Sequence, residues 1–287
     1  MEHRLPADIE KPGKPDSLPR ASDARIQSIG RAGALLGAMA DGGWVALRDL
    51  ATRTGLAKTT ALNLLRALVE IGLVERDPRA GAYRLGLQHL VYGKTVERRL
   101  EVAAAAQHHL IRLCAETRET VNLALPCATD ALIVESLEGS HALRISAYAG
   151  TRASYHSTAC GRALLAYQSV EFRRAIYGLG PLTAATHRTV TEPQAIEELL
   201  EHCRSVGWAT EFEENEPGSA CIAAPIFGPG GSVVASVSIA GPAARFTTDT
   251  IERLGTLLLD RVREITADLR QAGESKFKTA SNVSGVS

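Results

Sequence analysis

Residues 47–72 read LRDLATRTGLAKTTALNLLRALVEIG, and this stretch restricts the fold more than any other. Leu47, Leu50 and Ala51 fall at i, i+3 and i+4, which places them on one face of a helix. Gly55 ends that helix, because glycine enters the left-handed conformation of a helix stop without steric cost. A second helix follows, with Leu62, Leu65, Leu68 and Val69 at helical spacing. The same period turns Thr60, Asn63 and Arg66 outward, beside Lys58 and Thr59. A short hydroxyl, an amide and a guanidinium on one exposed face suit the edges and phosphates of a DNA major groove. An ordinary helical hairpin with a solvated polar face is the alternative reading.

The flanking sequence decides between them. A helix over 28–39, with a core stripe of Ile29, Ala32, Leu35, Leu36 and Met39, precedes the pair. After Gly72 the chain alternates over 73–76, turns through Asp77-Pro78-Arg79-Ala80-Gly81 and alternates again over 82–85. Three helices and a hairpin with Arg79 at its tip make a winged helix-turn-helix, placed at 23–86. Net charge over the 287 residues is zero. That excludes a coat-like nucleic-acid binder but not a local basic surface: 23–86 holds nine basic and six acidic residues. Residues 1–22, rich in proline and charge, read as a disordered arm. Residues 87–99 read as a linker helix whose apolar face suits a partner chain.

From 100 to 270 helices and strands mix in α+β fashion. Helices are expected at 100–117, 170–178, 193–206 (capped by Thr191) and 247–270. Strands are expected at 121–125, 131–137, 143–147 and 208–211, with turn residues at Asp130 and 138–141. A hairpin pairs 221–227 with 233–240. Residues 271–287 read as a disordered tail. The five cysteines are odd in number and lack CxxC spacing, so neither a disulfide framework nor a zinc site is indicated. The start of the chain is no signal peptide, and no apolar run of membrane-spanning length occurs. A cytoplasmic protein without cofactor or metal is the expectation.

Two places in this second region suit a small molecule. One is the helix start after His156, where the backbone of Ala159 and Cys160 can meet an anion; His156 stands beside it. The other is the hairpin, where Cys221, Ser236 and Ser238 share a face if they point inward. The strand pattern equally allows the serines to face solvent. Glu211, at a strand end before an acidic run, can accept from a ligand hydroxyl or hold a metal. An enzyme, hydrolase-like and using Cys160 or Cys221 with His156 as base, has no motif behind it: G-x-S-x-G, the P-loop and H-E-x-x-H are all absent. A metal-responsive regulator built on Glu211 and His156 is the third option.

Taken together, the pattern resembles the IclR family of bacterial transcriptional regulators over 26–270. The resemblance is carried by LATRTGLAKTTALNLLRALVEIGLVERDPRAGAYRLG, by YHSTACGRALLA, by the T-x-x-T of Thr186 and Thr189, and by VGWATEFEENEPGSACIAAPIFGPGGSVVASVSIAGP. It implies a winged helix-turn-helix, a linker helix and a GAF-like effector domain on an antiparallel sheet of five or six strands. It implies a homodimer or dimer of dimers on a palindromic operator, acting as repressor or activator of a catabolic or metabolic operon. The effector would be a small organic or aromatic acid. The family pocket would fall at Ala159, Cys160, Glu211, Cys221, Ser236 and Ser238, which favours the inward reading of both serines. Cys160 stands where a smaller residue is common, and Glu211 where some relatives have Asp, so both reshape the space for a ligand.

Overall fold

Helix formation begins with α1 (Gln27–Gly37), followed by the short strand β1 (Val45–Ala46), then α2 (Leu47–Thr54) and α3 (Lys58–Glu70). The computed structural model describes residues 27–97 and 100–283, and of 97 and 272–283 the backbone alone. The expected arm at 1–22 lies outside the described residues, as do 98, 99 and 284–287. The chain divides into two compact units, Met1–Arg99 and Leu100–Ser287.

In the first unit Gly55 has φ 67°, and the amide of Leu56 donates to Ala51 O at 3.1 Å, closing α2 with the six-to-one bond of a Schellman stop. A methyl group at Gly55 would meet no atom within 4 Å. The cost of Gly55→Ala is therefore backbone strain alone, and thermal melting should show a loss of about 1–2 kcal/mol. Leu35, Met39, Leu50, Ala61, Leu65 and Leu68 form the core of the three helices. Ile29, expected in that core, is 66 % exposed on α1. Leu62 is only half-buried, and Ala61 takes the buried place.

Strands β2 (Val74–Arg76) and β3 (Ala82–Leu85) form the wing, and β1 adds to β3 through Val45 opposite Tyr83, making three strands. The tip is fixed by Asp77, whose carboxylate accepts the amides of Arg79 at 2.7 Å and Ala80 at 3.2 Å. Helix α4 (Gln88–Glu97) follows.

The second unit opens with α5 (Glu101–Thr117), β4 (Thr120–Cys127), β5 (Asp130–Leu137) and β6 (Arg152–Ser154). Next come α6 (Ala159–Leu165), α7 (Val170–Tyr177) and α8 (Pro193–Val206). Strands β7 (Ala209–Phe212), β8 (Ser219–Phe227) and β9 (Val233–Pro242) precede the terminal helix α9 (Thr248–Val283). The sheet runs β6-β5-β4-β9-β8-β7, and every neighbouring pair is antiparallel. Val121, Leu123, Ile222, Ala224, Val237 and Ile239 face α5 and α9. The alternate residues Ala124 and Ala223 face α6 and α8, with Ala159, Ala163, Leu164, Ile196 and Leu200. The sheet is thus buried on both sides, so strand alternation marks two interiors instead of inside and outside.

Four expectations are corrected here. Residues 143–147 do not join the sheet. Their carbonyls are taken by side chains instead: Leu143 O by Arg245, Ile145 O by Thr120 and Ala147 O by Ser136. The place beside β5 goes to β6, and Asp130, expected in a turn, pairs with Ser154 there. Helix α8 is preceded by Glu192 as N-cap, not Thr191, because Pro193 occupies the first helical position. The terminal helix reaches Val283, so the expected tail is helical as far as 283.

Candidate DNA-reading face and effector site

Along α3, Lys58, Thr59, Asn63 and Arg66 are exposed and Thr60 is half-buried, so the five candidates line one face. Arg79 is exposed on the wing. Most other arginines of this unit have partners. Arg48 lies by Asp49, Arg53 donates to Ala38 O and lies 3.8 Å from Asp41, and Arg84 pairs with Glu75 while stacking on Trp44. Lys58, Arg66 and Arg79 form no ion pair among the described residues. Their charge is therefore free for an anionic ligand. Arg76, exposed on the wing strand and without an acidic partner among the described residues, joins them and was not singled out from sequence.

The second site is built under α6. Thr158 caps the helix, accepting the Gly161 amide at 3.1 Å and donating to Ser154 O at 2.7 Å. Gly161 allows this close seat, since a methyl group there would come within 2.3 Å of Ser154 O. Sheet register then decides which polar groups meet the helix. Glu211 lies opposite Cys221, and Ser238 lies between Ala223 and Asn122. Asn122 in turn lies opposite Ser136. Glu211, Asn122, Ser236 and Ser238 are buried, and Cys221 is half-buried. The serines therefore face the α6 interior. Ser236 donates to Cys160 O at 3.1 Å, and Asn122 links Ser238 at 3.4 Å to Ser136 at 2.7 Å.

Burial sets the chemistry of these groups. The Glu211 carboxyl rises to about 7, chiefly through burial, while the amides of Glu214 and Asn215 on its Oε2 work in the opposite direction. The fold favours its neutral form. That contribution to stability is complete below the ordinary carboxylate range and is lost as pH rises through about 7. Burial raises the thiols of Cys160 and Cys221 as well. His156 is lowered by burial, and both ring nitrogens are occupied: Nδ1 meets Ser154 Oγ at 2.7 Å and Nε2 meets Thr183 O at 3.0 Å. A neutral ring that donates to the carbonyl accepts from the serine. Its role in this arrangement is to hold the segment before α6.

Sequence reasoning passed over two features. Asn122 was hidden in an apolar strand, where a lone amide between Val121 and Leu123 was the available signal. Arg162 is 1 % exposed and donates to His156 O at 2.7 Å, to Thr210 O at 3.0 Å and, bidentately, to Glu214. A charged residue inside ACGRALL was the sign of it. Thr186 and Thr189 complete the frame, donating to Glu213 O at 2.6 Å and Glu214 O at 2.5 Å.

A winged helix-turn-helix with a free basic face, joined in one chain to a sheet domain with polar groups buried on one sheet face, defines a transcriptional regulator with an effector-type domain. Residues 28–78 match the IclR helix-turn-helix domain, and residues 94–267 match the bacterial transcriptional regulator IclR C-terminal domain. The chain belongs to the IclR family of bacterial transcriptional regulators. It is 32 % identical to the HTH-type transcriptional regulator KipR of Bacillus subtilis, over 76 % of this chain and 87 % of that protein. It is 30 % identical to the transcriptional repressor IclR of Escherichia coli, over 91 % and 96 %. The structure of an IclR homolog from Microbacterium hydrocarbonoxydans complexed with 4-hydroxybenzoate superposes with a TM-score of 0.71 at 26 % identity, covering 85 % of this chain and 99 % of that one. Among the described residues no helix is long and apolar enough to cross a membrane.

Proposed function

We propose that this regulator controls a catabolic or metabolic operon by binding a palindromic operator as a homodimer or dimer of dimers, and that a small organic or aromatic acid alters that binding. The observation that carries the effector reading is the convergence of Asn122, Glu211, Cys221, Ser236 and Ser238, from four strands, on the one face of the sheet that packs beneath α6. These groups are paired with one another and with nearby backbone, and a carboxylate or hydroxyl ligand can exchange into those hydrogen bonds without leaving a polar group bare. Ala159 and Cys160 contribute backbone amides at the helix start, and His156 positions that segment. The acid bound by the Microbacterium relative is of the same chemical class. The domain limits 23–86, 87–99 and 100–270 serve as the working division. Helix α4 supports the dimer: Leu90, Val91, Tyr92 and Val96 are each more than half exposed. Four exposed apolar side chains on a short helix suit cover by a second copy of the chain.

The enzyme reading is disfavoured. A nucleophilic cysteine needs a lowered thiol and a base in reach, whereas both thiols here are raised and His156 is fully engaged.

The test is operator binding, read by fluorescence anisotropy, against a panel of carboxylic acids at several pH values. An acid of the right class changes operator affinity. Its own binding weakens as pH rises through about 7, where Glu211 ionises and repels it, by up to about tenfold per pH unit. Glu211→Gln flattens that dependence. A panel with no effect on operator binding, or turnover of an acid that Cys221→Ser abolishes, overturns the reading.

A further inference from the structure

The seam between α5 and α9 holds a donor set that operator and effector binding leave unused. His108 and His109 are neighbours on α5, and Asp268 faces them from α9; one ligand atom from each lies within 4.8 Å of the others. Asp268 Oδ2 is 3.0 Å from His109 Nε2 and 3.8 Å from His108 Nε2. A tetrahedral ion with bonds of about 2.0–2.2 Å sets its donors about 3.4 Å apart, and the two observed separations bracket that value.

The surroundings fit an ion as well. His109 is buried, and its other ring nitrogen, Nδ1, sits 3.2 Å from Glu264 Oε2 without completing a hydrogen bond. Glu264 is held in turn by Arg261 at 2.7 Å. A carboxylate behind the second nitrogen of a ligating histidine is the arrangement that fixes ring orientation and tautomer in metal sites. His108 is 60 % exposed, which leaves an entry side open to solvent.

We propose that His108, His109 and Asp268 bind a divalent transition cation of the zinc class, with Glu264 orienting His109 and solvent completing the coordination. Two imidazoles and one carboxylate select such an ion over magnesium or calcium, which prefer all-oxygen shells. Bound there, the ion fastens the first helix of the second unit to its last.

The experiment uses the full-length protein stripped with a chelator. Cobalt(II) is added and its visible ligand-field absorption followed, then zinc(II) is titrated in competition with a chromophoric chelator. The expected result is one ion per chain with a four-coordinate cobalt spectrum. His108→Ala and Asp268→Asn each weaken zinc binding at least tenfold, and Glu264→Gln weakens it about 10–100-fold. Both primary variants change solvent-facing side chains, and their metal-free melting curves check that the fold is kept. Absence of stoichiometric binding overturns the proposal. So does binding that survives in both variants, or binding lost in Cys221→Ser, which would place the ion at the effector site.

Discussion

Arg162→Met should destabilise the second unit by about 3–5 kcal/mol, the usual cost of stranding one member of a buried ion pair. Thermal or urea denaturation measures it. The arginine is 1 % exposed, and its loss leaves the buried Glu214 carboxylate with the Val190 amide and without its cation. It also frees two carbonyls, of His156 and Thr210, that now accept from the guanidinium. The double variant Arg162→Met, Glu214→Gln should recover a substantial part of the loss, because the stranded charge is gone. Equal instability of single and double variants would show that packing around α6, and not the charge pair, is responsible. Arg162 ties α6 to the 210–214 segment, so the same substitution should loosen the position of Glu211 and weaken any acid bound beside it.

The second large effect is expected on DNA. Arg66→Ala should lower operator affinity by about 1–3 kcal/mol for each half-site in which the side chain meets a base. On a palindrome read by two protomers the loss doubles to about 2–6 kcal/mol, and selectivity over random DNA falls with it. Arg79→Ala behaves differently if the wing tip holds phosphate: affinity drops on every sequence, and the slope of affinity against salt falls by about one per site. Anisotropy titrations across a salt series on operator and random duplexes separate the two behaviours. Unchanged affinity and selectivity in Arg66→Ala would remove that residue from the interface.

Local chemistry made the first unit readable. Gly55, the Asp77–Gly81 turn and the leucine spacing act within a few residues of themselves, so helix stops and wing appear where the sequence places them. The misjudged positions needed knowledge of neighbours. Leu62 and Ile29 look apolar in any window, but their burial depends on which elements pack against them. The 143–147 segment has strand-like residues, yet Thr120, Ser136 and Arg245, distant in sequence, claim its carbonyls first. Ser236 and Ser238 show the same limit. Alternation put them opposite the apolar set of their strand, and period two cannot say whether the other face is solvent or a second interior.

The sequence by itself determined the two-part plan, the polar face of α3, the wing and the residue types of the effector site, because each follows from short-range periodicity and turn stereochemistry. Only the tertiary structure decided how those residues meet. It brought Asn122 and Glu211 onto one face of the sheet by strand register, buried Arg162 against Glu214 and closed His156 between Ser154 and Thr183. It also set Asp268 beside two histidines of α5. One of these contacts, His109 with Asp268, joins residues 159 positions apart, and no local periodicity carries information over that distance.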